Sequence, residues 1–269
     1  MSEQPHEVEL MRAAAENYER YFVPSIGAPV AADLLKAANL HPGERVLDAA
    51  CGTGVVAKLA AERVRPDGAV SGLDQNPAML AVARATTRPD VSIDWHPARA
   101  EDLPFPDESF DAVLCGMGLQ FFSDKEAAMR EFHRVLVPGG RVAANVPGPV
   151  PPPLQVMADG LARHIGPEAA SFVHTVFSLH DPDDLRNLAR RADFGDVDVR
   201  STEVPLKLPP PSEFLWQYIW STPLAAVVAK ASEERRAALE GEFSEKCRAF
   251  APTGTLEGRV QMTTLIARR

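Results

Sequence analysis

The sequence predicts an α/β fold, and three observations carry the prediction. Short apolar segments alternate with amphipathic ones between residues 42 and 146. The apolar segments are nearly continuous, as in parallel strands buried on both faces. A glycine-containing turn, Cys51-Gly52-Thr53-Gly54, follows the first of them, where open α/β sheets bind ligands.

Each element has its own warrant. Val8, Met11 and Ala15 share a stripe that Tyr18 and Phe22 continue at four-residue steps, so the chain opens on a helix. A second helix is read over 30–39, closed by the turn His41-Pro42-Gly43. Residues 45–50 form a short apolar strand and 55–64 a helix; 69–73 is a second strand. Pro77 stands at a first helical position ahead of 79–85. Strands follow at 91–95 and 110–115, then a helix at 125–136 stopped by Pro138-Gly139-Gly140, then a strand at 141–146. The run Pro147-Gly148-Pro149-Val150-Pro151-Pro152-Pro153 continues neither helix nor strand and leaves the core layer. Helical pieces are read at 154–165, 168–177 and 183–192. Residues 196–199 alternate like a strand, with the register slipping before Val204, Leu206 and Leu208. Pro209-Pro210-Pro211 introduces helices near 212–220 and 232–250, and Val260, Met262, Thr264 and Ile266 alternate as a last strand. No internal repeat is visible.

Composition narrows the function. The 269 residues are 45% hydrophobic, enough for a sizeable core. The formal charge of −9 repels phosphate backbones, which argues against a nucleic-acid partner. No uncharged apolar run approaches the ~20 residues of a membrane span. The start, Met1 to Glu7, is polar and acidic, unlike a secretory signal. Cys51, Cys115 and Cys247 are odd in number and widely spaced, which excludes a disulfide framework and argues against a cysteine zinc site. The expected location is the cytoplasm, and no metal is expected.

Glycines after a buried strand let the backbone turn sharply and approach a ligand. Gly52-x-Gly54-x-x-Ala57 satisfies a dinucleotide fingerprint, and Asp74 ends the next strand, where a ribose is gripped. An NAD(P)-dependent oxidoreductase is therefore one reading. Asp48 favours another, because a carboxylate before the glycines suits a ligand with a cationic amino group or sulfonium. The three tyrosines, Tyr18, Tyr21 and Tyr218, lack a lysine four residues on, so the Tyr-x-x-x-Lys pair of a short-chain dehydrogenase is absent.

Further motifs occur in order. Val46–Gly54 and Asp74 are followed by Ala100-Glu101-Asp102-Leu103-Pro104-Phe105-Pro106, then Ser109-Phe110-Asp111-Ala112-Val113, then Arg134-Val135-Leu136-Val137-Pro138-Gly139-Gly140. This series resembles the class I S-adenosylmethionine-dependent methyltransferases, of the type similar to ubiquinone/menaquinone-biosynthesis (type 11) enzymes. The resemblance covers roughly residues 42–146. It implies a Rossmann-like, seven-stranded, mostly parallel sheet with an antiparallel last strand and helical cap insertions. It implies a single methyltransferase domain over 1–269: N-terminal helices in 1–40, a cofactor-binding core at 42–146, a helical cap at 147–180 and 209–250, and a last strand at 258–268. The implied reaction is methyl transfer from S-adenosyl-L-methionine to a small molecule, with S-adenosyl-L-homocysteine as product; a non-catalytic S-adenosylmethionine-binding protein is a further alternative.

The same resemblance gives residues their roles. Asp48, Ala50, Gly52 and Gly54 would hold the methionine end, and Asp74 would accept from both ribose hydroxyls. Asp74 alone also suits a helix N-terminal cap. Gln75 and Met79 would pack on the adenine, although Met79 equally reads as a core residue. The Ala100 backbone N–H would meet adenine N1, with Glu101 beside it. Relatives often carry an acceptor just before this pair; Arg99 has none. Cys115, placed among the cofactor-binding residues and read as a small buried hydrophobe and not a nucleophile, opens the segment Cys115-Gly116-Met117-Gly118-Leu119-Gln120-Phe121-Phe122 near the reactive methyl group, and Gln120 either touches the substrate or caps its loop.

The Asn-Pro-Pro-aromatic motif of DNA-amino methyltransferases is missing from that position. His164, His174 and His180 fall in the helical insertion, and His174 and Trp216 are candidate substrate contacts. Trp216 and Trp220 share one helical face while Phe214, Leu215, Tyr218 and Ile219 mark another, so this helix borders a substrate pocket, a second subunit of a homodimer, or plain core. No catalytic base is identifiable from the sequence.

Overall fold

The structure, a computed structural model, describes residues 5–269. Of the polar start, Met1–Gln4 lie outside the described residues, as does the side chain of Val8. Seven strands form one sheet: β1 (Arg45–Ala49), β2 (Ala69–Asp74), β3 (Asp94–Pro97), β4 (Phe110–Gly116), β5 (Leu136–Pro147), β6 (Gly195–Lys207) and β7 (Glu257–Arg268). Their order is β3-β2-β1-β4-β5-β7-β6. The first five pair in parallel, while β7 runs antiparallel to β5 and to β6. The expected sheet, antiparallel last strand included, is the one found.

The helices are α1 (Pro5–Asn17), α2 (Ala28–Ala38), α3 (Val55–Val64), α4 (Pro77–Thr86), α5 (Lys125–Val135), α6 (Pro152–His164), α7 (Pro167–Val176), α8 (Pro182–Arg191), α9 (Pro211–Trp220), α10 (Leu224–Val228) and α11 (Glu233–Cys247). Between α1 and α2 the chain winds as a π-helix over Tyr18–Gly27, so the second helix, expected over 30–39, follows directly and starts at Ala28. Among the described residues no helix is long and apolar enough to cross a membrane.

Two compact units divide the chain. The sheet unit holds Val30–Gly148, Leu179–Glu203 and Gln261–Arg269. Its strands alternate between two apolar clusters with the period of two that pleating imposes. Val46, Val70, Ala112, Leu114 and Ala143 pack with Leu34, Leu35, Ala57, Ala60 and Val64 of α2 and α3. Leu47, Ala49, Leu73, Val113, Val142, Ala144 and Leu265 pack instead with Met129 and Phe132 of α5 and with Leu185 and Leu188 of α8. Each fully buried Val, Leu, Phe or Met among them contributes about 1.5–3 kcal/mol, and each alanine less. Asp48 has the parity of Val46 and so faces α3.

Three local expectations are corrected. The third strand starts at Asp94, not residue 91; Val91 and Ile93 pack half-buried against the cluster of α2 and α3 without joining the ladder. Pro138-Gly139-Gly140 does not stop a helix but lies inside β5. Leu136 pairs with Phe110 and the register resumes at Ala112 with Arg141, so β5 spends five residues where β4 spends two, and three bulge out. Gly140 allows this, since a Cβ there would stand 2.9 Å from the Val137 carbonyl oxygen and 3.1 Å from that of Asp111. Finally, β6 is one strand whose buried residues change parity between Val199 and Val204. The division between units falls there, between Glu203 and Val204, so the slip read in the sequence marks a change of core.

The helical unit comprises the described residues up to Pro29, Pro149–Ser178 and Val204–Val260. Phe214 packs on Phe243 and Tyr218, and α6 approaches α11 at Gly160, where a Cβ would meet Leu239 at 2.9 Å. Glu242 gathers Arg163, Lys246 and His164 around one carboxylate. The hydrogen bonds of Arg163, Lys246 and His164 hold it down to a pKa of about 2.

Candidate functional site

The carboxyl ends of β1, β2 and β4 bring most of the expected residues together within the sheet unit. Asp48 is 1% exposed. Its Oδ2 accepts the Ala57 N–H of α3 at 2.8 Å, and its Oδ1 is buried without a hydrogen-bond partner. Thr53 Oγ1, in the turn that follows, is likewise buried and unpartnered. Ala50, Gly52 and Gly54 all have left-handed backbone, at φ +58°, +55° and +88°. Space beside the Gly52 Cα is open, whereas the side of Gly54 is filled by the indole of Trp95.

Asp74 holds this turn from the next strand. Its Oδ2 accepts the Gly52 N–H and its Oδ1 the Asn76 N–H, both at 2.8 Å. A carboxylate oxygen has two acceptor sites, so each retains one. The cap of α4 is Asn76, whose Oδ1 accepts the Ala78 N–H, which removes that alternative for Asp74.

Two carboxyl groups stand at the turn, and burial opposes the ionisation of both. Burial raises Asp48 well above the carboxylate range, with repulsion from Asp74 adding to it. Burial raises Asp74 against its two backbone hydrogen bonds. Cys51 registers the same field: burial first, then Asp48 and Asp74, push its thiol up. A pyrophosphate brought here would meet two carboxylates, whereas a cation would relieve both.

Arg99, missed as a structural element in the sequence, bridges neighbouring loops. It donates to the Gln75 side chain at 3.4 Å, to Glu101 Oε1 at 3.1 Å and to Ser123 Oγ at 2.8 Å. Glu101 also accepts the Ser123 N–H and hydroxyl. Burial opposes its ionisation, but these bonds and Arg99 hold its pKa below the usual range. Gln75 is exposed, Met79 half-buried and Ala100 buried. Cys115 is fully buried, its thiol pushed up to about 12 by burial and by Asp48, so it packs as a small hydrophobe. Gln120, 3% exposed, donates from Nε2 to the Met117 carbonyl at 2.9 Å, the loop-capping role, while its Oε1 is buried without a partner.

His174 and Trp216 belong to the helical unit. His174 is exposed on α7. Trp216 stacks on Trp220 with centroids 5.8 Å apart and donates its indole N–H to Glu240 at 3.0 Å. Among the described residues, no three histidine, cysteine or acidic side chains cluster as metal ligands.

Comparison with known proteins gives this geometry a family. A methyltransferase-domain family model matches residues 47–144, the span of the motifs. The nocamycin O-methyltransferase of Saccharothrix syringae is 34% identical over 245 residues, covering 85% of this chain and 86% of that protein. The chain belongs to the class I S-adenosylmethionine-dependent methyltransferases. Within that family, the ubiquinone/menaquinone biosynthesis C-methyltransferase UbiE of Xanthomonas oryzae pv. oryzae is 46% identical over 127 residues, 46% of each chain. The chain thus matches about half the length of its UbiE relatives. Among solved structures, YcgJ of Bacillus subtilis shares this fold at a TM-score of 0.61 and 17% identity, covering 89% of this chain and 97% of that one.

Proposed function

We propose that the protein binds S-adenosylmethionine at the turn after β1 and transfers its methyl group to a small organic acceptor, releasing S-adenosylhomocysteine. The observation that carries this reading is the buried, unpartnered Oδ1 of Asp48, in a turn where burial opposes the ionisation of Asp48 and Asp74 until a cation arrives. An unpaired buried acceptor costs about 1–3 kcal/mol unless a ligand satisfies it. A cationic amino group or sulfonium suits this turn and the pyrophosphate of NAD does not, so the residues present fit the cofactor of the family.

Asp48 and the Gly52 backbone would bind the methionine end, with Ala50 and Gly54 shaping the turn. Asp74 would use its remaining acceptor sites for the two ribose hydroxyls. Met79, Gln75, Ala100 and Glu101 would frame the adenine, with Arg99 holding Gln75 and Glu101 in place. Cys115 would contribute backbone and packing. Gln120 Oε1, His174 and the ring face of Trp216 remain the acceptor contacts proposed from this chain.

S-adenosylmethionine, when bound, supplies a methyl group on a sulfonium, from which a neutral thioether leaves without protonation. The protein's task is then alignment, which supplies on the order of 7–11 kcal/mol of barrier lowering. A base matters where the acceptor starts protonated. An oxygen acceptor is tried first, because the relative aligned along 85% of the chain is an O-methyltransferase. The charge of −9 disfavours a nucleic-acid acceptor. Three free, buried cysteines suit a reducing compartment such as the cytoplasm, and a homodimer is the proposed partner arrangement.

The experiment is incubation with methyl-labelled S-adenosylmethionine and fractionated small-molecule extract. Label should move to an extract component, and added S-adenosylhomocysteine should suppress it. Saturable cofactor binding without transfer to any fraction would support the non-catalytic alternative.

A further inference from the structure

Trp95 stands on β3 directly opposite Gly72 of β2. A Cβ on Gly72 would lie 2.3 Å from its Cζ3 and 2.4 Å from its Cε3, so the indole covers bare glycine backbone. The same ring reaches the turn after β1, where a Cβ on Gly54 would lie 2.4 Å from its Cη2. Pairing an aromatic ring with a cross-strand glycine shields a sheet position that has no side chain of its own. Here the ring also abuts Gly54, which leads the chain into α3 at φ +88°.

That turn needs holding. Left-handed backbone at Ala50 costs about 1–2 kcal/mol, and strained segments persist only where their surroundings fix them. Cys51 N–H bonds the Leu73 carbonyl at 2.9 Å, and Gly52 N–H bonds Asp74 Oδ2 at 2.8 Å, tying the first half of the turn to β2. The Gly54 N–H bonds the Cys51 carbonyl at 2.8 Å, a contact within the turn itself. The indole ties the second half to β3, and Arg84 Nη2 fixes β3 in turn by donating to the Trp95 carbonyl at 2.9 Å.

We propose that Trp95 is a positioning residue for cofactor binding, its indole setting the place of Gly54 and so the shape of residues 50–54. The inference rests on the reading that this turn binds S-adenosylmethionine. It gives Gly54 a second duty, clearance for a ring, beside its left-handed place in the turn.

The test uses the full chain with Trp95→Leu, Trp95→Phe, Gly72→Ala and the double variant Gly72→Ala/Trp95→Leu. Two readouts are taken: S-adenosylhomocysteine affinity by calorimetry, and amide hydrogen exchange of residues 50–54 without ligand. Trp95→Leu should weaken binding about tenfold or more, since small misplacements near a site are costly. It should also speed exchange in 50–54 more than in β1 or β4. Trp95→Phe, which keeps a ring, should lose less, and carries the comparison if Trp95→Leu does not fold. The double variant should bind better than Gly72→Ala alone, whereas independent sites would simply add. Wild-type affinity and exchange in the ring variants, or strict additivity, would overturn the proposal. If the wild type itself fails to bind S-adenosylhomocysteine, the cofactor reading falls, and the exchange comparison alone decides what Trp95 does.

Discussion

Replacing Asp74 by alanine removes the acceptor for two backbone N–H groups at once, those of Gly52 and Asn76, each bound at 2.8 Å. Hydrogen bonds to a charged group contribute about 1.5–3 kcal/mol each. Asp74 is only partly buried, so water reaches part of the vacated site and the joint cost falls to about 2–4 kcal/mol. In a chain of this size that lowers the melting temperature by roughly 4–16 °C. Losing the ribose contacts should separately weaken S-adenosylhomocysteine binding by about 1.5–3 kcal/mol, roughly 10–150-fold. Thermal denaturation reads the first effect, and calorimetry well below the new midpoint reads the second. Asn76→Ala is the control: it removes the α4 cap, costing about 1 kcal/mol, yet leaves the Asp74 carboxylate in place and should hardly change affinity. Unchanged affinity in a folded Asp74→Ala protein would refute the ribose role; an unchanged melting temperature would refute the anchoring of the turn.

Further outcomes follow from buried ionisable groups. Arg141 forms two bonds to the Glu44 carboxylate at 2.7 and 2.8 Å and also donates to the Ala38 and Asn39 carbonyls, so Arg141→Ala should destabilise by about 3–5 kcal/mol in denaturant unfolding and leave cofactor affinity unchanged. Burial opposes ionisation of Glu44, but Arg141 and the His41 N–H hold its pKa low, so its stabilisation is present above the unfolded carboxylate value and fades as pH falls through the folded one; the gap between wild type and Arg141→Ala should narrow in acid. Because burial holds Asp48 protonated to higher pH than an ordinary carboxylate, S-adenosylhomocysteine affinity should rise with pH until Asp48 ionises, and Asp48→Asn should bind more weakly with that rise removed. Cys115, with a thiol near 12 and full burial, should resist iodoacetamide in the native protein and react once it is unfolded.

The parts of this molecule legible in the sequence are those set by local pattern. Val46, Leu47, Asp48 and Ala49 announce a strand, Gly52 and Gly54 announce a turn, and helix α3 begins and ends where its apolar spacing says. What stayed hidden depends on partners far along the chain. Nothing local says that Gly139 and Gly140 lie in a bulge, because that follows from pairing with Phe110 and Ala112. Arg99 reads as a missing acceptor until Gln75, Glu101 and Ser123 come within its reach. Trp95 reads as one more strand residue; the available signal was a tryptophan and a glycine on neighbouring short strands, which becomes specific only when the register sets Gly72 opposite it. The slip in β6 was visible in the sequence, and its meaning, a strand serving two cores, came from burial.

The turn after β1 should accept the cationic cofactor of methyl transfer and reject a dinucleotide. Side-by-side calorimetric titration of the unmodified protein with S-adenosylhomocysteine and NADH tests it most directly. Saturable one-to-one binding of S-adenosylhomocysteine, lost or weakened in Asp48→Asn and Asp74→Ala, is expected, with no saturable heat from NADH. Tight NADH binding, or S-adenosylhomocysteine binding indifferent to both carboxylates, would contradict it.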